Sequence, residues 1–275
     1  MTLWRGTCGL VAAVLIAIPL VAAQAANPDD WWVDIANDRA ARVATMLGQG
    51  ADPNEISPVG QPAIMQAIRD GAWNVYDVLL KHPQTVFNAI NVNRETPLMY
   101  LAVIGETERA ADLIKRGALV NRKGWTPLHY AASTGQLDTA KMLLEHGAQV
   151  NAPAPDDTTP LMMAAYGGSE AMVRLLLEAG ADVHRRNRQD YDVVDWAGFK
   201  SNTALAAKLK SLMEGSQESS RPASQGSATA ESSATPVAPT RDKAGDPDGV
   251  AQPESGTSST SRYFDLDRFN DPATP

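Results

Sequence analysis

Cysteine is almost missing from this chain: Cys8 is the only one in 275 residues. A disulfide framework, a Cys-x-x-Cys redox pair and a thiolate metal cage are therefore excluded. Histidine is nearly as scarce, with only His82, His129, His146 and His184 present. None belongs to an H-E-x-x-H motif or a carboxylate–histidine cluster, so no metal site is expected. The G-x-S-x-G elbow and the phosphate-cradling loop are also missing. Positive charge is in deficit, with 24 Lys and Arg against 32 Asp and Glu, net −8. The stretch from residue 215 carries nine acids and five bases, and residues 1–25 hold only Arg5, which leaves −5 on residues 26–214. A domain of that sign is a poor match for nucleic acid or an anionic membrane surface. No enzyme activity and no cofactor are expected.

The charge-poor start has its own logic. Arg5 precedes an apolar run from about Gly9 to Ala23, followed by the small residues Ala23 and Ala25 and then by Asp29 and Asp30. This is the layout of a secretory signal peptide, residues 1–25, with cleavage after Ala25. The run is about 15 residues, short of the roughly 20 a spanning helix needs, and Pro19 interrupts it, so no stable membrane anchor is expected after cleavage. Cys8 lies before the run, where it cannot become a lipid anchor. The mature chain then has no cysteine, which fits a bacterial periplasm, and the expected location is periplasmic or secreted.

What the chain has in abundance is repetition. GWTPLHYAASTGQLDTAKMLLEHGAQVN begins at Gly124, and DTTPLMMAAYGGSEAMVRLLLEAGADVH begins at Asp157. Their anchors Thr126 and Thr159 are 33 residues apart. Further anchors fall near Asp29 and at Pro62, Thr96 and Asp192, with spacings of 33, 34, 30, 33 and 33. Each part has a physical role. Thr126 can cap a helix, and Pro127 sits at the first helical position, where its missing N–H is harmless. Leu128, Ala131 and Ala132 make a thin helix that lets neighbours stack, and Gly135 ends it. Ala140, Leu143 and Leu144 share a face of a second helix, which Gly147 ends. The turn elements recur as Gly50–Asn54, Gly117–Asn121 and Gly180–Asp182.

This pattern resembles the ankyrin-repeat family, whose hallmark is T-P-L-H-x-A at a period of about 33. The resemblance implies an all-α solenoid of helix-turn-helix units joined by β-hairpin loops. It covers residues 26–214 as about five repeats and a C-terminal cap unit. Within the family the chain resembles exported bacterial members, some associated with supporting periplasmic catalase and others with neutralising secreted toxins. A secreted effector is a further alternative. Departures from the pattern are local. His82–Glu95 lacks a Gly-Ala turn and predicts an altered loop, and the spacing of 30 predicts a shortened hairpin. Asp192 replaces the anchor Thr, and the helix predicted over 203–213 closes the array with Lys208 and Lys210.

The family binds proteins through hairpin tips and the exposed side of each first helix, so the resemblance places candidate contacts here. The helix set is Arg69 and Asp70, Val103 and Ile104, Ser133 and Thr134, Tyr166 and Gly167, and Phe199 and Lys200. The tip set is Arg94, Glu95, Arg122, Lys123, Trp125, Arg185, Arg186, Arg188 and Tyr191. Val103, Ile104, Arg122, Lys123, Trp125, Thr134, Tyr166 and Phe199 are the foremost partner-binding candidates, since apolar and Arg anchors dominate interfaces. The alternative is that stacking hides these side chains and Trp125 covers its neighbouring hairpin. His129 is expected to bond backbone in a neighbouring turn. Tyr100, Tyr130, Met163 and Trp196 are expected between helices, and Trp31 and Trp32 at the N-terminal end. The partner is another protein, and a monomer is expected.

Residues 215–261 are of low complexity, rich in Ser, Ala, Pro and Gly, and predict a disordered linker. Tyr263, Phe264, Leu266 and Phe269 then return together, either as a short docking peptide or as an end without a role. The export reading is checked by mass spectrometry of protein from a periplasmic fraction: the chain should start near Ala26, and an intact Met1 in the membrane fraction contradicts it.

Overall fold

The computed structural model describes residues 27–219. The signal segment 1–25, Arg5 and Cys8, the tail from 220, and Tyr263, Phe264, Leu266 and Phe269 lie outside the described residues. Within them the chain forms helices in pairs: α1 (Trp31–Ala36) with α2 (Ala40–Gly48), α3 (Ala63–Arg69) with α4 (Trp73–Lys81), and α5 (Pro97–Ile104) with α6 (Thr107–Lys115). There follow α7 (Pro127–Thr134) with α8 (Leu137–Glu145), α9 (Pro160–Gly167) with α10 (Glu170–Glu178), and α11 (Val193–Phe199) with α12 (Thr203–Ser219). The odd-numbered helices stack on one another in chain order as an inner layer, and the even-numbered helices back them as an outer layer.

The inner helices are short because their sequences both start and stop them. Pro97, Pro127 and Pro160 occupy the first turn, where the missing N–H has no intrahelical partner to lose. Gly135 ends α7 in the left-handed region at φ 71°, which a side chain would resist. The inner helices are also apolar nearly all round, as helices sandwiched between neighbours must be. Leu128, Ala131 and Ala132 of α7 are buried, as are Leu161, Ala164 and Ala165 of α9. Small residues bring the backbones together: a Cβ added at Gly167 would lie 2.3 Å from the Ser133 carbonyl oxygen of α7. Outer helices are amphipathic, and only one stripe of each is buried.

The loops between pairs are hairpin-shaped but contain no strands among the described residues; the sole pairing there is an isolated bridge from Ile56 to Pro62. Two other devices hold them. First, the residue two before each anchor is left-handed: Gly60, Arg94, Gly124, Asp157 and Asp190. Second, a series of asparagines joins each loop to the next. The Asn121 side-chain amide donates to the Gly147 carbonyl at 2.7 Å, and its oxygen accepts from the Gln149 N–H at 2.9 Å. Asn27 pairs in the same two-pronged way with Asp52, Asn54 with Gln84 and Val86, Asn88 with Gly117 and Leu119, and Asn151 with Gly180 and Asp182. The altered loop after His82 therefore keeps its rung despite lacking Gly-Ala. The spacing of 30 is also accounted for, since eleven residues separate α6 from α7 while fourteen separate α8 from α9.

The ends are closed differently. At the N-terminus Trp31 is buried, and the buried Asp34 carboxylate meets Arg39 at 3.1 Å and Arg42 at 2.7 Å. At the C-terminus α12 is longer than the 203–213 expected and runs past residue 214 to Ser219. Leu205 and Leu209 anchor it and Lys208 bridges to Glu170 at 2.6 Å, so helix propagation carries on beyond the packed turns.

The pairing of Leu143 with Leu144 needs correction. Leu143 is fully buried with Met142 and Ala140, whereas Leu144 is only half-buried at the edge of the stripe. Leu143→Ala is therefore expected to destabilise the domain by about 2–5 kcal/mol, and Leu144→Ala by clearly less. Urea unfolding of the two variants side by side checks this; equal losses contradict the packing described.

Candidate protein-binding face

Stacking places every tip on one side of the array and aligns equivalent residues in rows. The row just before each anchor reads Gln61, Glu95, Trp125, Thr158 and Tyr191. The row four after it reads Gln66, Tyr100, Tyr130, Met163 and Trp196. The second row is buried except at Gln66, as packing between helices requires.

Reading the first two rows together reveals what single-repeat reasoning missed. Glu95 is not a tip residue open to water but a buried carboxylate. It accepts the Tyr130 hydroxyl at 2.6 Å and the Asn91 amide at 2.8 Å. Asn91 also donates to Gln61 at 3.1 Å, and Gln61 donates to the Tyr100 hydroxyl at 2.8 Å. The chain bends Glu95 inward because Asn91 Oδ1 accepts the backbone N–H groups of Asn93 and Glu95 and so tightens the tip. The signal was in the columns: an acid or amide precedes the anchor in two consecutive repeats, and a tyrosine follows it in two consecutive repeats. The network spans three units and fixes their tips relative to one another.

His129 occupies the T-P-L-H position and is fully buried. Its Nδ1 accepts the Thr126 N–H at 3.2 Å, which leaves Nε2 to donate to the Thr158 carbonyl of the next unit at 3.1 Å. That pattern needs the neutral ring. Burial pushes its pKa down to about 4, with the Thr158 carbonyl partly opposing the shift.

The foremost candidates fall into three environments. Val103 is 3% exposed and is not a surface residue. It faces a neighbouring inner helix, and its carbonyl accepts the Thr134 hydroxyl at 2.9 Å. Ser133, at the same register one unit along, is buried for the same reason. Ile104 is half-buried against the core, and Thr134 is exposed with its hydroxyl engaged. A continuous apolar stripe through Val103, Ile104, Thr134, Tyr166 and Phe199 therefore does not exist, because the centre of the array spends its apolar side chains on stacking.

At the C-terminal end the arrangement differs. Phe199 is 49% exposed and Tyr191 42% exposed, with ring centroids 5.0 Å apart, edge to face. Phe199 also meets Trp196 at 5.7 Å, and the half-buried Tyr166 meets Trp196 at 5.8 Å. The Lys200 ammonium lies 5.0 Å from the Tyr166 ring centroid. Tyr166 is thus part of a packed cluster, while Phe199 and Tyr191 are its open edge. The nearby cations are largely engaged: Arg186 pairs with Asp192 at 2.8 Å, and Arg188 pairs with Asp157 of the preceding tip at 3.0 Å.

The middle tips carry the third environment. Lys123 is exposed and Arg122 half-buried, with Arg122 donating to the Arg94 carbonyl. Trp125 is half-buried, its ring edge-on to His129 at 5.2 Å. The ring covers the buried histidine of its own unit.

Among the described residues no group of three or more His, Cys, Asp or Glu side chains converges as metal ligands would. What the face offers is rigid tips, exposed rings and charge: the means of a recognition surface. Residues 105–187 match the model of ankyrin repeats, in three copies. No curated protein matches the chain. The helix pairs on both sides of the matched segment continue its stacking, so the fold is an all-α ankyrin-repeat solenoid. Ankyrin repeats are generally protein–protein interaction modules and typically not enzymes.

The buried His129 generates a pH expectation. Its folded pKa of about 4 lies below the ordinary 6.5, so the unfolded chain binds the extra proton between those values. Stability contributed by this group is intact above pH 6.5 and falls as pH drops toward 4, by about 1.4 kcal/mol per pH unit. Urea unfolding at pH 7, 6 and 5 should show the decline in the parent chain and a shallower one in His129→Gln. Parallel slopes would rule out the neutral buried ring as the cause.

Proposed function

We propose that this chain is an exported, non-enzymatic binding module that holds a partner protein on its tip-and-inner-helix face. The observation that carries the reading is the open aromatic edge at the C-terminal end. Tyr191 and Phe199 remain nearly half exposed while the rings behind them are packed. Aromatic side chains left in water on a rigid scaffold are the usual anchors of protein interfaces. Lys200, next to Phe199 in sequence and lying against the Tyr166 ring, supplies a charged margin that can steer approach. The apolar segment before Ala25 and the absence of cysteine from the mature sequence favour a periplasmic or secreted location.

The test is paired. Tyr191→Ala with Phe199→Ala should move the unfolding midpoint little, corresponding to about 1 kcal/mol or less, because both rings are surface groups. Partner recovery from periplasmic extract, quantified by mass spectrometry, should fall by about thirtyfold, corresponding to about 2 kcal/mol. A stable variant that recovers the same partner at parental yield overturns this face as the binding site.

A further inference from the structure

The tips of the second, third and fourth units form one connected surface. A Cβ placed at Gly60 would lie 2.1 Å from Val92 Cγ1, and the Val92 N–H donates to the Gly60 carbonyl at 3.3 Å. Arg122 donates in turn to the Arg94 carbonyl, joining the third tip to the fourth. This surface carries exposed apolar side chains together with clustered cations. Val59 and Val92 are 70% and 73% exposed. Arg94, Arg122 and Lys123 are gathered on the third and fourth tips, and among the described residues none of the three pairs with a carboxylate. Arg94 and Arg122 are close enough to repel: burial first, and then Arg94, hold the Arg122 guanidinium below its ordinary pKa. Crowded cations beside bare valines call for an acidic, apolar occupant.

The chain contains one. Tyr263-Phe264-Asp265-Leu266-Asp267-Arg268-Phe269 alternates acids with large apolar residues, and Asp271 follows. In an extended peptide alternate side chains face opposite ways, so Asp265 and Asp267 share one edge while Phe264 and Leu266 share the other. Forty-three residues separate Ser219 from Tyr263, and a Gly/Ser-rich chain of that length spans about 35–40 Å. The tips of the fourth, third and second units lie two, three and four units from α12; at about 8–10 Å per packed helix the farthest is about 32–40 Å away, which that length of chain spans. Tethering supplies the segment at an effective concentration of about millimolar, enough for a short peptide with modest affinity.

We propose that the segment Tyr263–Phe269 docks on the tips formed by Val59, Val92, Arg94, Arg122 and Lys123 of its own chain. Asp265 and Asp267 meet the cations, and Phe264 and Leu266 cover the valines. The docked segment occupies part of the face that binds the partner, and so acts as a built-in competitor; this second role rests on the proposed function.

The experiment uses the full chain with the photo-cross-linker benzoylphenylalanine in place of Phe264, irradiated at low micromolar concentration and mapped by mass spectrometry. Cross-links should fall within residues 58–60, 92–94 and 122–125, at monomer mass. Their yield should drop severalfold in 0.5 M NaCl and at least tenfold in Arg122→Glu with Lys123→Glu, with helical circular dichroism unchanged. Cross-links to a second copy, links scattered over other faces, or a yield indifferent to salt overturn the docking. Phe264→Ala with Leu266→Ala should raise partner recovery at least threefold, and unchanged recovery overturns the competitor role. Because Tyr191 and Phe199 are untouched, loss of the cross-link with intact partner recovery removes only this proposal. A mapped cross-link with recovery indifferent to Tyr191 and Phe199 removes only the binding reading.

Discussion

The structure depends on how closely the inner helices approach. Their backbones come near enough that the Ser133 carbonyl of α7 fills the place where a side chain at Gly167 would project. Only alanine, glycine and serine on the facing surfaces permit this, and the larger residues Leu128, Leu161 and Trp196 are buried around the contact. The remaining features follow. Short inner helices against longer-reaching outer ones bring all tips to one side, and the spacing between units sets the distance each asparagine must bridge. Thus the side chains that stack the array leave the tips as the place where the surface is free to vary.

Much of this was legible in the sequence because it is periodic. Proline at the helix start, glycine at its end and the recurring apolar pair locate α3 to α10 and their order. His129 was legible as well, since its position in T-P-L-H implies a backbone partner one unit on, and Thr158 supplies it. The candidate site was less legible, for a physical reason. Exposure in a stacked array depends on the neighbour as much as on the residue. Val103 and Phe199 occupy the same register, yet Val103 is covered by the next inner helix while Phe199 lies in the last one. Glu95 was misplaced for a related reason: a charged residue beside Arg94 reads as surface until its column is compared with Tyr130 one repeat later. Loop geometry was also only partly legible. Positive φ at Arg94, Asp157 and Asp190 is tolerated by Asn, Asp and Gly far more readily than by Arg, so position 94 gave no local warning.

The outer layer shows how the array absorbs irregularity. Where the second unit lacks its Gly-Ala turn, α4 and α6 are joined through the Arg109 guanidinium, 4.2 Å from the Trp73 ring centroid, and through Arg116, which donates to the Leu80 carbonyl at 3.4 Å. A planar cation on an aromatic face adds an attraction between the two outer helices. The loop is free to change because Asn88 still reaches both Gly117 and Leu119.

The buried network around Glu95 has a bearing on cooperativity. In a repeat array each unit ordinarily senses only its neighbours, and stability is a sum of local and nearest-neighbour contributions. The carboxylate couples two successive neighbour contacts, because Tyr130 of one unit, Asn91 of the next and Gln61 of the one beyond share a single connected set of hydrogen bonds. Opening any one of the three strands a buried charge or amide in the others. The middle of the molecule should therefore behave as a single opening unit flanked by independently fraying ends, so that a force or a denaturant peels the array from both sides toward a stiff centre.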